Sequence, residues 1–234
     1  MVKKKLVVLT GAGISAESGL RTFRDMGGLW EEYDIMEVAS YEGWKQNPEL
    51  VLKFYNDRRK QLKDVEPNLG HLALVDAEKY FDVRIITQNV DNLHERAGST
   101  KILHLHGELT KVESSIDSTL VHDIGYTDLN LGDKCSKGSQ LRPHIVWFGE
   151  EVPAMTEAIR ITRQAEIFAV VGTSLNVYPA AGLLGYAPVN APIYLIDPNA
   201  VEVQSRNRIH YINENASVGV GRMLELLLKS TSSA

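Results

Sequence analysis

The chain contains very little cysteine. Cys135 is the single cysteine among 234 residues, so no disulfide can form within the chain and no zinc site of four cysteines can be built. Long hydrophobic runs are also lacking, because no stretch approaches the roughly 18 apolar residues of a membrane span. We therefore expect neither a disulfide framework nor a transmembrane helix.

The chain also lacks an excess of positive charge. Its 25 Lys and Arg against 30 Asp and Glu give a net charge of −5. Nucleic acid and anionic membranes require a basic face and are not expected as main partners. The lysines near the N-terminus precede only about five apolar residues, fewer than the roughly 7–15 of a signal peptide. We expect a cytoplasmic protein and a monomer.

The most informative stretch is KLVVLTGAGIS at residues 5–15. An apolar, β-branched run that ends in glycines is typical of a buried parallel strand followed by a helix N-terminus. Such a junction presents unpaired backbone N–H groups, which favour a phosphate. An alternative is that the glycines only let a helix pack closely on a strand. The stretch predicts a nucleotide-binding α/β domain.

The C-terminal half alternates strands with helices, which predicts a doubly wound parallel sheet of Rossmann type. The predicted strands are 145–148, 167–173, 193–196 and 209–212, and the predicted helices are 155–165, 180–186 and 218–229.

The N-terminal half contains two insertions. After the first strand, the next clear strand is 82–88, farther away than a Rossmann unit of about 30 residues allows. Helical patterns at 35–43 and 48–65 occupy the interval, and a polar segment follows at 107–140. We expect an NAD-binding Rossmann-like domain and a small domain made from the two insertions. The expected ranges are 1–30, 71–106 and 142–234 for the first and 31–70 and 107–141 for the second.

Polar side chains follow two predicted strands, in TQNVD at 87–91 and GTS at 172–174. Ligands of open α/β sheets bind at the carboxyl ends of the strands, so these side chains and the glycine turn should meet in one crevice. The glycines do not match G-x-G-x-x-G and no acidic residue ends a second strand about 20 residues on, which disfavours a simple dehydrogenase.

In combination, six motifs resemble the sirtuin family of NAD-dependent protein lysine deacylases. The resemblance extends from residue 6 to about residue 228. The motifs are GAGIS at 11–15, RTFRD at 21–25, TQNVD at 87–91, HLHGE at 104–108, FGE at 148–150 and GTSLNVYPAA at 172–181.

The resemblance implies NAD as cofactor. The glycine turn would hold the pyrophosphate, Arg24 would lie near the phosphates, Phe23 would cover the nicotinamide ribose, and the polar residues of TQNVD would order the ribose and the carboxamide. The residues implied to bind NAD are Gly11, Ala12, Gly13, Ser15, Glu17, Phe23, Arg24, Gln88, Asn89, Asp91, Gly172, Thr173, Ser174, Asp197, Pro198, Asn199 and Ala216.

The resemblance implies His106 and Asn89 as catalytic residues. The acyl-lysine oxygen would displace nicotinamide to form an imidate, and His106 would then activate a ribose hydroxyl to attack it. Addition of water would release free lysine and leave the acyl group on ADP-ribose. An imidazole with a pKa near 6.5 suits this base. From the residues alone, the alternatives are that His104 and His106 are strand residues sharing one face, or that they are two metal ligands, and packing is favoured.

A second motif concerns the acyl group. Tyr55 and Arg58 are spaced to share one helix face, and with the small residue Ala39 they resemble the sirtuins that remove acidic acyl groups. A guanidinium can bind a distal carboxylate in bidentate fashion. This predicts a preference for succinyl-, malonyl- or glutaryl-lysine over acetyl-lysine. The alternative is a solvated arginine beside a core tyrosine.

The acyl-lysine protein is expected to bind as an added strand. The residues implied to contact it are Phe148, Gly149, Glu150, Ser174, Leu175, Asn176 and Val177.

The chain departs from the family in one segment. Many sirtuins hold a structural zinc with two Cys-x-x-Cys pairs in the segment equivalent to 110–141, where this chain has only Cys135, with Ser114 and Ser115 near the first expected pair. His122 and Asp133 do not complete a tetrahedral set by any recognised spacing. We expect no zinc and no other metal.

Other functions remain open from the sequence. A plain deacetylase, an ADP-ribosyltransferase and a catalytically silent module that binds NAD or ADP-ribose would share the same crevice.

Overall fold

The computed structural model describes residues 2–21, 33–199 and 208–232. The strands in these ranges are β1 (Lys5–Thr10), β2 (Asp82–Thr87), β3 (Ile102–His104), β4 (Gly107–Ser114), β5 (Asp117–Asp123), β6 (Leu141–Ile145), β7 (Ile167–Val171), β8 (Ile193–Ile196) and β9 (Ile209–Ile212). The helices are α1 (Ala12–Ala16), α2 (Ile35–Val38), α3 (Tyr41–Gln46), α4 (Pro48–Lys63), α5 (Leu69–Ala77), α6 (Leu93–Ala97), α7 (Met155–Thr162) and α8 (Ala216–Ser232), and Ala180–Tyr186 forms a 3-10 helix.

A parallel sheet forms the larger part of the described chain, in the order β3-β2-β1-β7-β8-β9. Its central strands are almost wholly apolar because helices cover both faces, as parallel sheets require. Helices α5 and α8 pack on one face through Leu74, Val220 and Met223. Helix α7 and the 3-10 helix pack on the other through Ala158 and Leu183. The predicted doubly wound α/β fold is confirmed.

The register of the sheet brings three strand ends together. Thr10 at the end of β1 pairs with Thr87 of β2 on one side and with Val171 of β7 on the other. Gly11, Gln88 and Gly172 therefore leave the sheet side by side. Because β1 lies between β2 and β7, the strand order reverses here, and such switch points are where ligands bind.

A smaller second unit consists of the antiparallel sheet β5-β4-β6 and the helices α2 to α4. Its core is shared by both insertions, since Trp44 and Phe54 from the helical one pack with Val112 and Leu129 from the other. Arg59 on α4 is fully buried and donates hydrogen bonds to the carbonyl oxygens of Leu109 and Thr127. These contacts support a small second domain, and its exact bounds remain a proposal.

Three predicted elements differ in the structure. The helical pattern at 35–43 is divided into α2 and α3, because Ser40 caps the start of a new helix. The strand expected at 145–148 is wrong, because β6 lies at Leu141–Ile145 and pairs with β4. The chain leaves the strand in a turn in which the N–H of Glu150 donates to the Trp147 carbonyl oxygen and Gly149 has a φ of +89°. The helix expected at 180–186 has those bounds but is of the 3-10 type. No described helix is both long and apolar enough to cross a bilayer.

Candidate active site

A cavity of about 760 Å³ opens at the carboxyl ends of β1, β2, β7 and β8, facing the second unit. This size is within the usual range for ligand pockets. The predicted site residues that line it are Gly11, Ala12, Gly13, Glu17, Ala39, Tyr55, Arg58, Gln88, Asn89, His106, Phe148, Gly149, Glu150, Gly172, Thr173, Ser174, Asn176, Val177, Asp197, Pro198, Asn199 and Ala216. The structure thus brings together residues predicted for the cofactor, the base, the acyl group and the peptide.

Five predicted residues are not among those lining residues. Phe23 and Arg24 lie outside the described residues. Leu175 packs against the core beneath the sheet. Ser15 and Asp91 are buried behind the wall and hydrogen-bonded to each other, with 2.9 Å between Ser15 Oγ and Asp91 Oδ2.

The glycine turn is held against the end of β7. The N–H of Gly11 donates to the Val171 carbonyl oxygen at 3.0 Å, and the N–H of Gly13 donates to the Gly172 carbonyl oxygen at 2.8 Å. A Cβ on Gly13 would lie 2.7 Å from Gly172 Cα, so a side chain would push the two loops apart. Close packing is therefore one role of these glycines, and the same residues also line the cavity.

Asn89 is fixed by contacts behind the cavity wall. Its Nδ2 donates to the carbonyl oxygen of Gly11 and to Ser15 Oγ, both at 3.1 Å. Ser15 in turn donates to Asp91. Burial raises the pKa of Asp91, while the N–H of Leu93, the Ser15 hydroxyl and the nearby positive charges oppose the shift. The Asn89 amide is therefore preorganised.

His106 has the tautomer that a base needs. Its Nδ1 lies 3.0 Å from the carbonyl oxygen of Gln88, which can only accept, so Nδ1 carries the proton. In the neutral ring, Nε2 then has the free lone pair. Burial lowers the pKa of His106 below its usual value, although the Gln88 carbonyl opposes the shift. The ring is thus neutral at pH 7 and can accept a proton.

His104 has a different role from His106. Its Nδ1 lies 3.0 Å from the Asn89 carbonyl oxygen and its Nε2 lies 2.8 Å from Glu95 Oε1. Burial alone would lower the pKa of His104, but the hydrogen bond and charge of Glu95 raise it above its usual value. The two histidines thus bind consecutive carbonyl groups. No cluster of three or more His, Cys, Asp or Glu suited to a metal occurs in the described ranges.

Tyr55 and Arg58 form the wall that α4 contributes. Both are buried, with 5% and 8% of their surface exposed, so the alternative of a solvated arginine is wrong. Burial lowers the pKa of Arg58, and the charge of Asp91 opposes this shift. Burial raises the pKa of Tyr55, so its hydroxyl stays protonated. A desolvated cation and a phenol therefore lie side by side at the cavity wall.

Glu150 lines the cavity, but its carboxylate is engaged within the protein. It accepts from Arg142 Nη1 at 2.7 Å, from Arg142 Nη2 at 3.0 Å and from the backbone N–H of Trp147 at 2.8 Å. We infer that Glu150 shapes this wall chiefly by holding Trp147 and Arg142.

Further lining residues were not predicted from the sequence. Most are apolar and carry no chemical signature, although some lie inside a quoted motif (Val90, Tyr178 and Pro179) and others, such as Trp147 and Asn215, adjoin a predicted residue. They are Ala16, Phe54, Val90, Leu109, Ile145, Val146, Trp147, Val152, Tyr178, Pro179, Ile196 and Asn215.

Comparison with known sequences identifies the family. A sequence model of the Sir2 family matches residues 11–179. The chain is 56% identical over 230 residues to a NAD-dependent protein deacylase of Bacteroides thetaiotaomicron, covering 96% of this chain and 98% of the relative. It is 55% identical over 229 residues to a NAD-dependent protein deacylase of Helicobacter pylori strain J99, covering 98% and 97%.

Solved structures agree with this result. A Sir2 homologue mutant in complex with ADP-ribose has a TM-score of 0.89 at 35% identity, covering 98% of this chain and 94% of that one. A Sir2 homologue in complex with NAD has a TM-score of 0.86 at 35% identity, covering 97% and 91%. A Sir2 protein bound to acetylated peptide has a TM-score of 0.77 at 26% identity, covering 99% and 95%. The chain belongs to the Sir2 family.

Proposed function

We propose that this protein is a NAD-dependent protein lysine deacylase that prefers succinyl-, malonyl- or glutaryl-lysine over acetyl-lysine. The relatives at 55–56% identity, which are named NAD-dependent protein deacylases, support the coarser activity. One observation supports the finer preference: Tyr55 and Arg58 line the same cavity as His106.

The residues present fit NAD. The cavity lies at the switch point of the sheet, and its wall includes the backbone of Gly11 and Gly13, where a Cβ would meet neighbouring atoms at 2.6 and 2.7 Å. Backbone N–H groups at the start of a helix donate to phosphate oxygens. Those of Gly11 and Gly13 already donate to Val171 and Gly172, so these two glycines would contribute the close approach of bare backbone. Gln88, Asn89 and Asp197 add polar side chains along the same cavity. Bound NAD would supply an electrophilic ribose carbon and would carry away the acyl group.

The protein's own residues would position the reactants and move one proton. His106 Nε2 would take a proton from a hydroxyl in the cavity, while Nδ1 keeps its bond to the Gln88 carbonyl and thus maintains the ring orientation. Asn89, held by Gly11 and Ser15, would orient the group that reacts. Asp91 would act from behind the wall, through Ser15.

The part of the cavity lined by Tyr55, Arg58 and Ala39 favours a carboxylate for electrostatic reasons. Burying the Arg58 guanidinium is unfavourable, and an incoming carboxylate would offset that cost with charge-assisted hydrogen bonds. The protonated Tyr55 hydroxyl could donate to the same carboxylate. Ala39, which also lines the cavity, leaves room for a longer acyl chain. An acetyl group would use neither polar contact.

A panel of acyl-lysine peptides tests both levels of the proposal. Peptides with acetyl, succinyl, malonyl or glutaryl groups would be incubated with enzyme and NAD, and free lysine, nicotinamide and acyl-ADP-ribose would be followed by mass spectrometry. We expect a higher kcat/KM for the acidic groups. Absence of all turnover would refute the deacylase, whereas equal kcat/KM for succinyl and acetyl peptides would refute only the preference.

Arg58→Met and the matched Arg58→Lys identify the origin of the preference. Arg58→Met removes the charge and should lower kcat/KM for the succinyl peptide by about 100-fold, from the roughly 2–3 kcal/mol of a charged hydrogen bond. Arg58→Lys keeps the charge without the bidentate fork, so its kcat/KM for the succinyl peptide should lie between those of the wild type and Arg58→Met. A loss of equal size on the acetyl peptide would show that Arg58 acts on the reaction in general.

Several further expectations remain proposals. The substrate peptide would lie as an added strand between the segments 148–150 and 173–178. We also propose a monomer that acts in the cytoplasm, which light scattering and cell fractionation would test. Transfer of radiolabel from NAD to a protein would favour an ADP-ribosyltransferase, and binding of NAD without release of nicotinamide would favour a silent module.

A further inference from the structure

Trp147 is hydrogen-bonded to the tyrosine of the acyl pocket. Its indole Nε1 donates to the Tyr55 hydroxyl oxygen at 3.0 Å. The two residues are 92 positions apart in the sequence, Tyr55 on α4 and Trp147 just after β6. Both are buried, with 2% and 5% of their surface exposed, and both line the cavity.

This contact determines which way the phenol can act. An indole N–H is a donor only, so the Tyr55 oxygen must accept from it. The phenol's own hydrogen then points elsewhere, and among the described residues no acceptor for it is found. Because burial raises the pKa of Tyr55, that hydrogen stays in place at neutral pH. Tyr55 is thus prepared to donate one hydrogen bond.

The indole ring is itself fixed from behind. The Arg142 guanidinium stacks over it, with 3.6 Å between Cζ and the ring centroid. Glu150 accepts from the backbone N–H of Trp147 and from both terminal nitrogens of Arg142. On another side, the rings of Trp44 and Trp147 lie 5.8 Å apart. The donor that faces Tyr55 therefore has little freedom to turn away.

We propose that Trp147 is a positioning residue for acyl specificity. By occupying the acceptor side of the Tyr55 oxygen, it directs the phenolic hydrogen toward the distal carboxylate of an acidic acyl-lysine. An acetyl group has no such carboxylate, so the effect is confined to acidic substrates. This inference rests on the proposed preference for acidic acyl groups, and it adds a residue to Tyr55 and Arg58 as determinants of that preference.

A purely structural role of Trp147 makes a different prediction. If the ring only fills space, its truncation disturbs the pocket for every substrate, and the kcat/KM values for succinyl and acetyl peptides fall together. If it acts through the Tyr55 hydroxyl, the two values fall unequally. Its effect on the succinyl-to-acetyl ratio also disappears once that hydroxyl is removed.

The test is a double-mutant cycle with Trp147→Phe and Tyr55→Phe, which remove the indole donor and the phenol while keeping an aromatic ring. We expect Tyr55→Phe to lower the succinyl-to-acetyl ratio of kcat/KM by about tenfold or more, as for a hydrogen bond to a charged group. Trp147→Phe should lower the ratio by a smaller factor, and the double variant should match Tyr55→Phe. An unchanged ratio in Trp147→Phe, or a further loss in the double variant, would overturn the inference.

The wild-type enzyme separates this result from a failure of the proposed function. Equal kcat/KM for succinyl and acetyl peptides in the wild type would refute the acidic preference and this inference with it. A clear wild-type preference that Trp147→Phe leaves intact would refute the inference alone.

A second measurement avoids Trp147→Phe in case that variant does not fold. The chain has three tryptophans, whose indole N–H groups can be observed by NMR after ¹⁵N labelling. In Tyr55→Phe, one indole resonance should move toward the position of an unbonded N–H. Succinyl peptide should shift the same resonance in the wild type. Three unchanged resonances in Tyr55→Phe would contradict the inference.

Discussion

The backbone N–H of Gly13 donates a 2.8 Å hydrogen bond to the carbonyl oxygen of Gly172. The two glycines follow adjacent parallel strands, and each occupies space that a side chain on the other would need. A Cβ on Gly172 would lie 2.4 Å from the backbone nitrogen of Ile14, and Gly172 has a φ of +61°. Both the turn that lines the cavity and the end of β7 depend on this contact.

Gly172→Ala should therefore weaken both folding and cofactor binding. We expect a loss of about 2–3 kcal/mol in the free energy of unfolding, since a residue other than glycine is strained at positive φ and the contact adds to that strain. We also expect at least a tenfold rise in the Kd for NAD, because the two loops move apart. Urea denaturation and titration calorimetry measure these quantities.

Gly221→Ala is the matched control. Gly221 lies in α8, where a Cβ would meet no atom within 4 Å. Alanine has the higher helix propensity, so stability should stay the same or rise, and the Kd for NAD should not change. If both variants lose stability and NAD affinity, the effect of Gly172→Ala is not specific to the contact between the loops.

The pH dependence of activity should follow His106. The base must be neutral, and burial lowers the pKa of His106 below about 6.5. We therefore expect kcat/KM to be level near pH 7 and to fall only as the pH approaches and passes below the pKa of His106. Rates with a saturating NAD concentration across the acid range give the midpoint. His106→Asn should abolish turnover. A midpoint above about 6.5 would contradict the assignment.

Glu95→Gln is the control for this profile, because it alters the neighbouring His104 and not His106. We expect its acid midpoint for kcat/KM to coincide with that of the wild type. A shifted midpoint would indicate that His104 contributes to the titration.

The pair of His104 and Glu95 should give stability that depends on pH. The raised pKa of His104 means that its contribution is present below about pH 6.5 and is lost as the pH rises through the folded-state pKa. The pKa of Glu95 is lowered, so its own contribution is lost as the pH falls through that value. The destabilisation by Glu95→Gln should therefore be largest at pH values between the folded-state pKa of Glu95 and that of His104.

We expect that maximum to be about 1 kcal/mol, since Glu95 is 39% exposed and solvent screens the pair. Urea denaturation at about pH 5.5 and about pH 9 measures the difference. Glu66→Gln removes an exposed partner of Arg96. It should lower the free energy of unfolding by less, and by a similar amount at both pH values. A constant effect of Glu95→Gln at both pH values would contradict the prediction.

Much of the sheet could be predicted from the sequence, because a strand buried on both faces is a continuous apolar run. The predicted bounds of β8 and β9 match the structure, and the glycine turn after β1 meets the polar residues after β2 and β7 as expected. Three conspicuous strand ends therefore indicated this wall of the cavity.

Contacts between distant segments could not be predicted in this way. Nothing in the pattern around Arg59 shows that its guanidinium is buried against carbonyl oxygens some 50 and 68 residues away. The bond between Trp147 and Tyr55 joins α4 to the segment just after β6, and both residues belong to the core of the second unit. β6 was misplaced because apolar residues continue past its end, where a turn and not a loss of hydrophobicity ends the strand.

The segment that would hold zinc in many sirtuins is held here by other contacts. Cys135 Sγ lies 3.2 Å from Ser114 Oγ, and the hydroxyls of Ser115 and Ser139 are hydrogen-bonded. Asn56 on α4 makes two 3.0 Å hydrogen bonds to the backbone of Leu129, one to the N–H and one to the carbonyl oxygen. Leu129 is 2% exposed. Among the described residues no group of three or more His, Cys, Asp or Glu suited to a metal occurs, and Asn56 anchors the Leu129 backbone to α4.

We therefore expect removal of metal to leave the fold unchanged and removal of Asn56 to weaken it. Elemental analysis should find far less than one zinc per chain, and EDTA should not lower the Tm. Asn56→Ala should lower the free energy of unfolding by about 1–3 kcal/mol, because it leaves buried backbone groups of Leu129 without partners. Cys135→Ser should change stability much less, since serine can still bond to Ser114. One zinc per chain, or a Tm that falls with EDTA, would show that a metal holds this segment after all.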